Sequence, residues 1–188
     1  MAELPFDPTK LSPSDRARYE RMVERRKAEG APFGGPYAAL MNHPQLCEKV
    51  EDLGFYLKFQ GHLSREVYQL VVLTVARKTG AEFEWIDHVH HARAAGVPDS
   101  VIDALQSAAD LTEITLAPYD LAAKILASTL AWKNVPREIQ DEAIARFGME
   151  GFVELVVLSG FYQMFSAINQ GFDVALPVGA QAPFASKQ

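Results

Sequence analysis

Within ten residues, Glu82 to His91, the chain carries three carboxylates (Glu82, Glu84, Asp87) and three of its five histidines (His88, His90, His91). Histidine changes charge near neutral pH, and a neighbouring carboxylate orients it and favours its protonated form. Such a pair, kept dry by an aromatic such as Trp85, can give or take a proton at a carbon centre. On a helix, at about 100° per residue, Glu84, Asp87, His88 and His91 share one polar face. Trp85, Val89 and Ala92 occupy the adjacent apolar face. Glu84 and His88 are four apart, so their side chains can meet. Spacing alone does not separate a proton-transfer pair from a surface ion pair worth at most about 0.5 kcal/mol, and the surface pair is the simpler reading. Glu82 falls toward the apolar side in the first helical turn, where the helix dipole favours an acid.

Metal binding is the other chemistry these residue types allow, since His88 and His91 with Glu84 or Asp87 are spaced for one face. The His-Glu-x-x-His pattern is absent and His90 points away, so no metal site is expected. His43 and His62 stand near helix ends and read as capping or packing residues. Cys47, the single cysteine, excludes a disulfide framework within the chain and reads as a spectator thiol.

The elements that must position this segment are helical. Ser12-Pro13-Ser14-Asp15 places a capping serine before a proline at the first helical position. The helix that follows runs to about Gly30 and is highly charged, read as a solvated helix with pairs at four-residue spacing. Gly30 to Pro36 is a loop rich in breakers, with Phe33 and Tyr37 read as packing residues. Pro44 opens a helix to about Gln60 with Leu46, Val50, Leu53 and Leu57 on one stripe. Ser64 caps a helix from Glu66 to Lys78, apolar almost all round and therefore central and buried. Thr79-Gly80 ends it. The acid- and histidine-rich segment follows as its own helix, stopped by Gly96 and Pro98. Further helices are expected from Pro98 to about Ala109, Pro118 to Lys133, Pro136 to Gly148 and Glu150 to Gly171. The last has more apolar surface than one side of a bundle buries, which suggests association with other copies. A short echo, Gln69 to Thr74 against Glu154 to Ser159, raises two related helical halves as a reading. Residues 175–188 read as a strapped-down or disordered tail.

Composition bounds the function. The 188 residues suffice for one domain with a sizeable core, and 48% hydrophobic with 22% charged is ordinary globular usage. The net charge of −6 shows no dominant basic patch, so nucleic acid is not an expected partner. No secretory signal is read at the N-terminus, and the most apolar stretch is interrupted by Glu154, Gly160 and Gln163. A cytoplasmic protein without a membrane span is expected.

Ala81 to His88, followed by Ala92-Arg93-Ala94-Ala95-Gly96-Val97, resembles the Glu-Tyr-Glu-Trp-x-x-His…Ala-x-x-x-Gly-Val signature of the carboxymuconolactone decarboxylase family. The resemblance extends over about Leu63 to Leu105 and, more weakly, over Glu150 to Asp173, where the family often has a Glu-containing apolar helix with a tyrosine like Tyr162. It implies an all-α, alkylhydroperoxidase D-like helical domain, assembled as a homo-oligomer (trimer or hexamer) and needing no cofactor. The related peroxidase branch carries Cys-x-x-Cys-x-x-x-His. Its cysteines would fall on Ala81 and Glu84, so disulfide-cycling peroxide reduction has no thiols at that place. Many members carry a glutamate where this chain has Gln69, which can hydrogen-bond but not carry a proton at neutral pH. It reads either as an orienting residue for His88 or as a glutamine bonded to backbone.

The division expected is an extension over residues 1–36, a helical domain over 37–174 and a tail over 175–188. The resemblance implies a carboxy-lyase acting on a small cyclic or conjugated acid or lactone. His88, Glu84 and Glu82 are then the catalytic candidates, and Trp85, Gln69 and His91 the substrate-binding ones. A non-catalytic oligomeric small-acid-binding protein is the alternative of another class. An isomerase or lactone hydrolase on the same pocket is another, because fold does not fix chemistry.

Overall fold

A computed structural model describes residues 4 and 6–184. Among them the regular structure is helical, with no strand: α1 Pro13–Ala28, α2 Pro36–Leu40, α3 Pro44–Phe55, α4 Arg65–Thr79, α5 Glu82–Ala94, α6 Asp99–Gln106, α7 Tyr119–Thr129 and α8 Arg137–Gly171. The all-α expectation holds. The chain divides into two compact units, residues 1–60 with 167–175, and 61–166 with 176–188.

In the first unit, Ser12 caps α1 by accepting from the Asp15 amide, as its sequence predicts. The charged face of α1 differs from expectation. Its arginines reach across to α3 rather than pairing mainly along their own helix. Arg18 and Arg21 both bind Glu48, and Arg25 binds Glu51 and Asp52. Arg26 lies 3.8 Å from Glu51, donates from Nε to the Pro32 carbonyl and covers the Tyr37 ring. Phe33 and Tyr37 pack as expected, in a run of edge and tilted ring contacts with Tyr19 and Phe6. The breaker-rich loop is followed by the short α2, opened by Pro36 after Gly35 at φ 55°. The predicted helix to Gln60 stops at Phe55 and continues as one π-helical turn, Tyr56–Gln60. Its stripe is also shifted. Cys47, Val50, Glu51 and Gly54 are buried, while Leu46 and Leu53 face solvent.

In the second unit, α4 is the central helix. Every residue from Val67 to Ala76 is buried, as its lack of a polar face requires. Gly80 ends it at φ 71°, a left-handed position that suits glycine. The Ala81 amide then closes back on the Ala76 carbonyl at 2.8 Å, and α5 begins one residue later, lying against α4. Ser64 makes no side-chain cap to α4. Glu154 serves the segment before it instead, accepting from the His62 and Leu63 amides and meeting His62 Nδ1 at 3.0 Å. The expected break at Gly148 is present as a non-helical residue (φ 75°, ψ 169°) inside α8. Beyond it, Glu154, Leu155, Leu158, Phe161 and Tyr162 are buried, whereas Met149, Val153, Val156 and Val157 are exposed. By length and composition α8 alone among the described residues is apolar enough to cross a membrane, and half of its most apolar window is buried. The tail is strapped down as far as it is described. Phe184 meets Trp85 edge-on at 5.3 Å, and the Pro183 carbonyl accepts from Gln106 Nε2.

Candidate active site

Three helices of the second unit supply the site: α4 gives Tyr68 and Gln69, α5 gives Glu84, Asp87 and His88, and α8 gives Tyr162. The two-residue return from α4 into α5 brings Gln69 and His88 together although they stand nineteen apart in sequence. On α5 the buried stripe runs Glu84, Trp85, His88, Ala92. The pair at four-residue spacing is therefore turned inward, and a surface ion pair is excluded.

Both nitrogens of His88 are engaged. Nδ1 lies 2.8 Å from Gln69 Oε1, an atom that only accepts, so Nδ1 carries a proton and donates it there. In the neutral ring Nε2 is then the free base. Tyr162 O–H, 3.3 Å away, donates to it, and Tyr68 O–H donates to the Tyr162 oxygen at 2.7 Å. The same atom faces two carboxylates, with Glu84 Oε2 at 3.7 Å and Asp87 Oδ2 at 3.6 Å. They place negative charge beside the ring when Nε2 is protonated. His88 and Glu84 are 3% exposed while the Asp87 side chain is half in water, so Asp87 links solvent to a dry proton site. Gln69 Oε1 accepts from Nδ1–H in both protonation states of His88, so it fixes the ring without adding charge.

Of the residues singled out from sequence, Glu84, His88 and Gln69 converge. Trp85 is buried on the same stripe, and its ring contact is with Phe184. His91 is exposed, with its ring 5.9 Å from that of His88 and 4.0 Å from that of His90. Glu82 stands half-exposed in the first turn of α5 and makes no ion pair or side-chain hydrogen bond among the described residues. Tyr68 joins the site without having been named for it, and Asp87, placed on this polar face by its spacing, is brought to His88 Nε2. The signal for Tyr68 was available: a tyrosine inside a helix buried all round must find a partner for its hydroxyl. Among the described residues no group of three or more His, Cys, Asp or Glu is set to hold a metal ion.

The all-α architecture is consistent with the alkylhydroperoxidase D-like fold expected from the sequence. The family model for carboxymuconolactone decarboxylases matches residues 44–117, bearing out the resemblance over Leu63 to Leu105 and beginning earlier, at α3; Gln69, Glu84 and His88 lie inside the match, and the weaker stretch from Glu150 to Asp173, with Tyr162, lies beyond it. Two solved structures share the fold: the debrominase Bmp8 as a cysteine-to-alanine variant in complex with 2,3,4-tribromopyrrole (15% identity, TM-score 0.64), and the same debrominase without ligand (14%, 0.63). Each covers 92% of this chain and is itself covered over 91% of its length. No curated protein sequence matches the chain.

Proposed function

We propose that the protein is a cofactor-independent lyase that decarboxylates a small cyclic or conjugated carboxylic acid or lactone. The observation that carries this reading is the buried His88, with Nδ1 fixed by Gln69 and Nε2 held between two carboxylates and the Tyr162–Tyr68 hydroxyl pair. Breaking the bond to the carboxylate releases CO₂ and leaves its electron pair on carbon, delocalised onto a carbonyl. The imidazolium Nε2–H then donates its proton to carbon, and Asp87 returns a proton from solvent. Glu84 stabilises the imidazolium before transfer. With Nε2 protonated, the Tyr162 hydroxyl is released from the ring and can donate to the developing oxyanion, while Tyr68 donates to its oxygen. The family match supports the class of reaction, and a debrominase of the same fold that holds a small conjugated ring supports the class of substrate.

Thiol-dependent chemistry at this place is disfavoured. The only cysteine, Cys47, belongs to the other unit, and burial pushes its thiol up to about 12. We further propose self-association as a trimer or hexamer through the exposed Val153, Val156 and Val157 side of α8, since a large exposed apolar patch marks an interaction site. Light scattering tests it, and a monomer at all concentrations would refute it.

The catalytic test is turnover on a panel of lactone and keto acids with CO₂ and product analysis. His88→Ala is expected to lose about a hundredfold or more in kcat. Full turnover by that variant on a substrate the protein decarboxylates would overturn the assignment. Ring opening or double-bond migration without CO₂ would move it to a hydrolase or isomerase.

A further inference from the structure

A cleft lies in the same unit, not lined by His88, between the C-terminal end of α4, the end of α6 and α7. Its volume is ≈ 610 Å³, within the range that takes a small-molecule ligand. Leu105, Leu111 and Leu130 form its apolar wall, and small side chains, among them Ala127 and Ala131, keep it open. Ala108, also on the wall, holds φ 60°, a left-handed conformation that costs an alanine free energy.

Arg77 gives the cleft its chemistry. Its Nε donates to the Gln106 carbonyl at 2.8 Å, and its guanidinium lies over the Phe184 ring at 4.7 Å. Two contacts thus fix the plane of the group, while both Nη atoms make no hydrogen bond or ion pair with the described residues. Lys78 lines the same cleft and also has no ion pair among the described residues. The opposing charge is Asp110, whose carboxylate accepts from Thr112 N and Oγ1 and is held below its usual range by those bonds first, with Lys78 contributing. Lys78 and Asp110 offset each other, which leaves Arg77 as an oriented cation beside an apolar hollow. A guanidinium so held loses little further freedom on binding a planar anion in two-point fashion.

We infer that this cleft is a second binding site, for an amphiphilic monocarboxylate whose head meets Arg77 and whose hydrocarbon body lies against Leu105, Leu111 and Leu130. It is independent of the chemistry at His88.

Octanoate titrated into the full chain by isothermal calorimetry tests it. One saturable site is expected, weakened by added salt and not shared by 1-octanol. Arg77→Gln is expected to lower affinity about tenfold, the scale of one charge-assisted hydrogen bond. Asp110→Asn, which keeps the oxygen that accepts from Thr112, is expected to raise it. Ala131→Phe, a change at an exposed lip position, fills the cleft and is expected to abolish binding whether or not Arg77→Gln folds. Absence of a saturable site, equal binding of octanol, or unchanged octanoate affinity in Ala131→Phe would each overturn the inference. Loss of octanoate binding in His88→Ala would overturn its independence from the other site.

Discussion

Two buried carboxylates, one in each compact unit, are neutralised in opposite ways. Glu51 on α3 is fully buried, and its partners are Arg25 and Arg26, cations that do not titrate in the working range of a protein. Glu84 on α5 is buried almost as deeply, but the group it faces is a histidine. A buried charge with a permanent counter-ion holds a fold in one arrangement, and removing one partner leaves the other uncompensated. A buried charge opposite a titratable ring can exist in two protonation states, and that freedom is what proton transfer uses. The two helices carry similar residue types, and the partner decides what each carboxylate is for.

The largest expected effects test this contrast directly. Glu84→Gln should lower kcat about tenfold or more while unfolding free energy moves within about 1 kcal/mol. Urea titration and turnover on the same preparation check both, and equal effects on the two would erase the distinction. The thiol of the first unit should be as locked as its carboxylate. With Cys47 pushed up to about 12, chiefly by burial, native protein at pH 8 should react with a disulfide reagent about a thousandfold more slowly than a free cysteine. Fast labelling without denaturant would contradict a closed first unit. Glu51→Gln should cost about 3 kcal/mol, the low end for a broken buried pair because Arg25 remains partly in water, and leave turnover at His88 intact.

The smallest effect concerns the third buried carboxylate, Glu154. Its hydrogen bond to His62, opposed by burial and aided by the charges of Glu154 and Glu150, raises that histidine above its ordinary 6.5. The folded state therefore binds the proton more tightly than the unfolded chain. The resulting stability is complete below the unfolded pKa and fades as pH rises through the folded one. Urea midpoints taken upward from pH 5.5 should show a shallow decline that His62→Ala removes. An unchanged pH profile in that variant would assign the decline elsewhere.

Much of this was legible before any coordinates. The Thr79-Gly80 stop, the buried α4 and the Glu84–His88 spacing follow from local rules, and Gly148 interrupts α8 where the sequence breaks. What was not legible depended on contacts between helices. Nothing in the helical pattern of Arg18, Arg21 and Arg25 says that they reach α3, because an exposed arginine and a cross-helix one have the same periodicity. Tyr162 stands 94 residues from Tyr68, and only the packed helices reveal that the two hydroxyls meet. The inward turn of His88 had a similar cause. Polarity argued for the outside, and its bonds to Gln69 and Tyr162 made the inside tolerable.

Gly80 and Ala81 are the whole link between α4 and α5. Most connections between helices tolerate changes of length, but this one sets an angular phase. One residue inserted at the start of α5 would rotate everything after it by about 100°, turning His88 away from Gln69. Substitution along this helix is a question of chemistry. Insertion or deletion is a question of registration, and the site has almost no slack to absorb it.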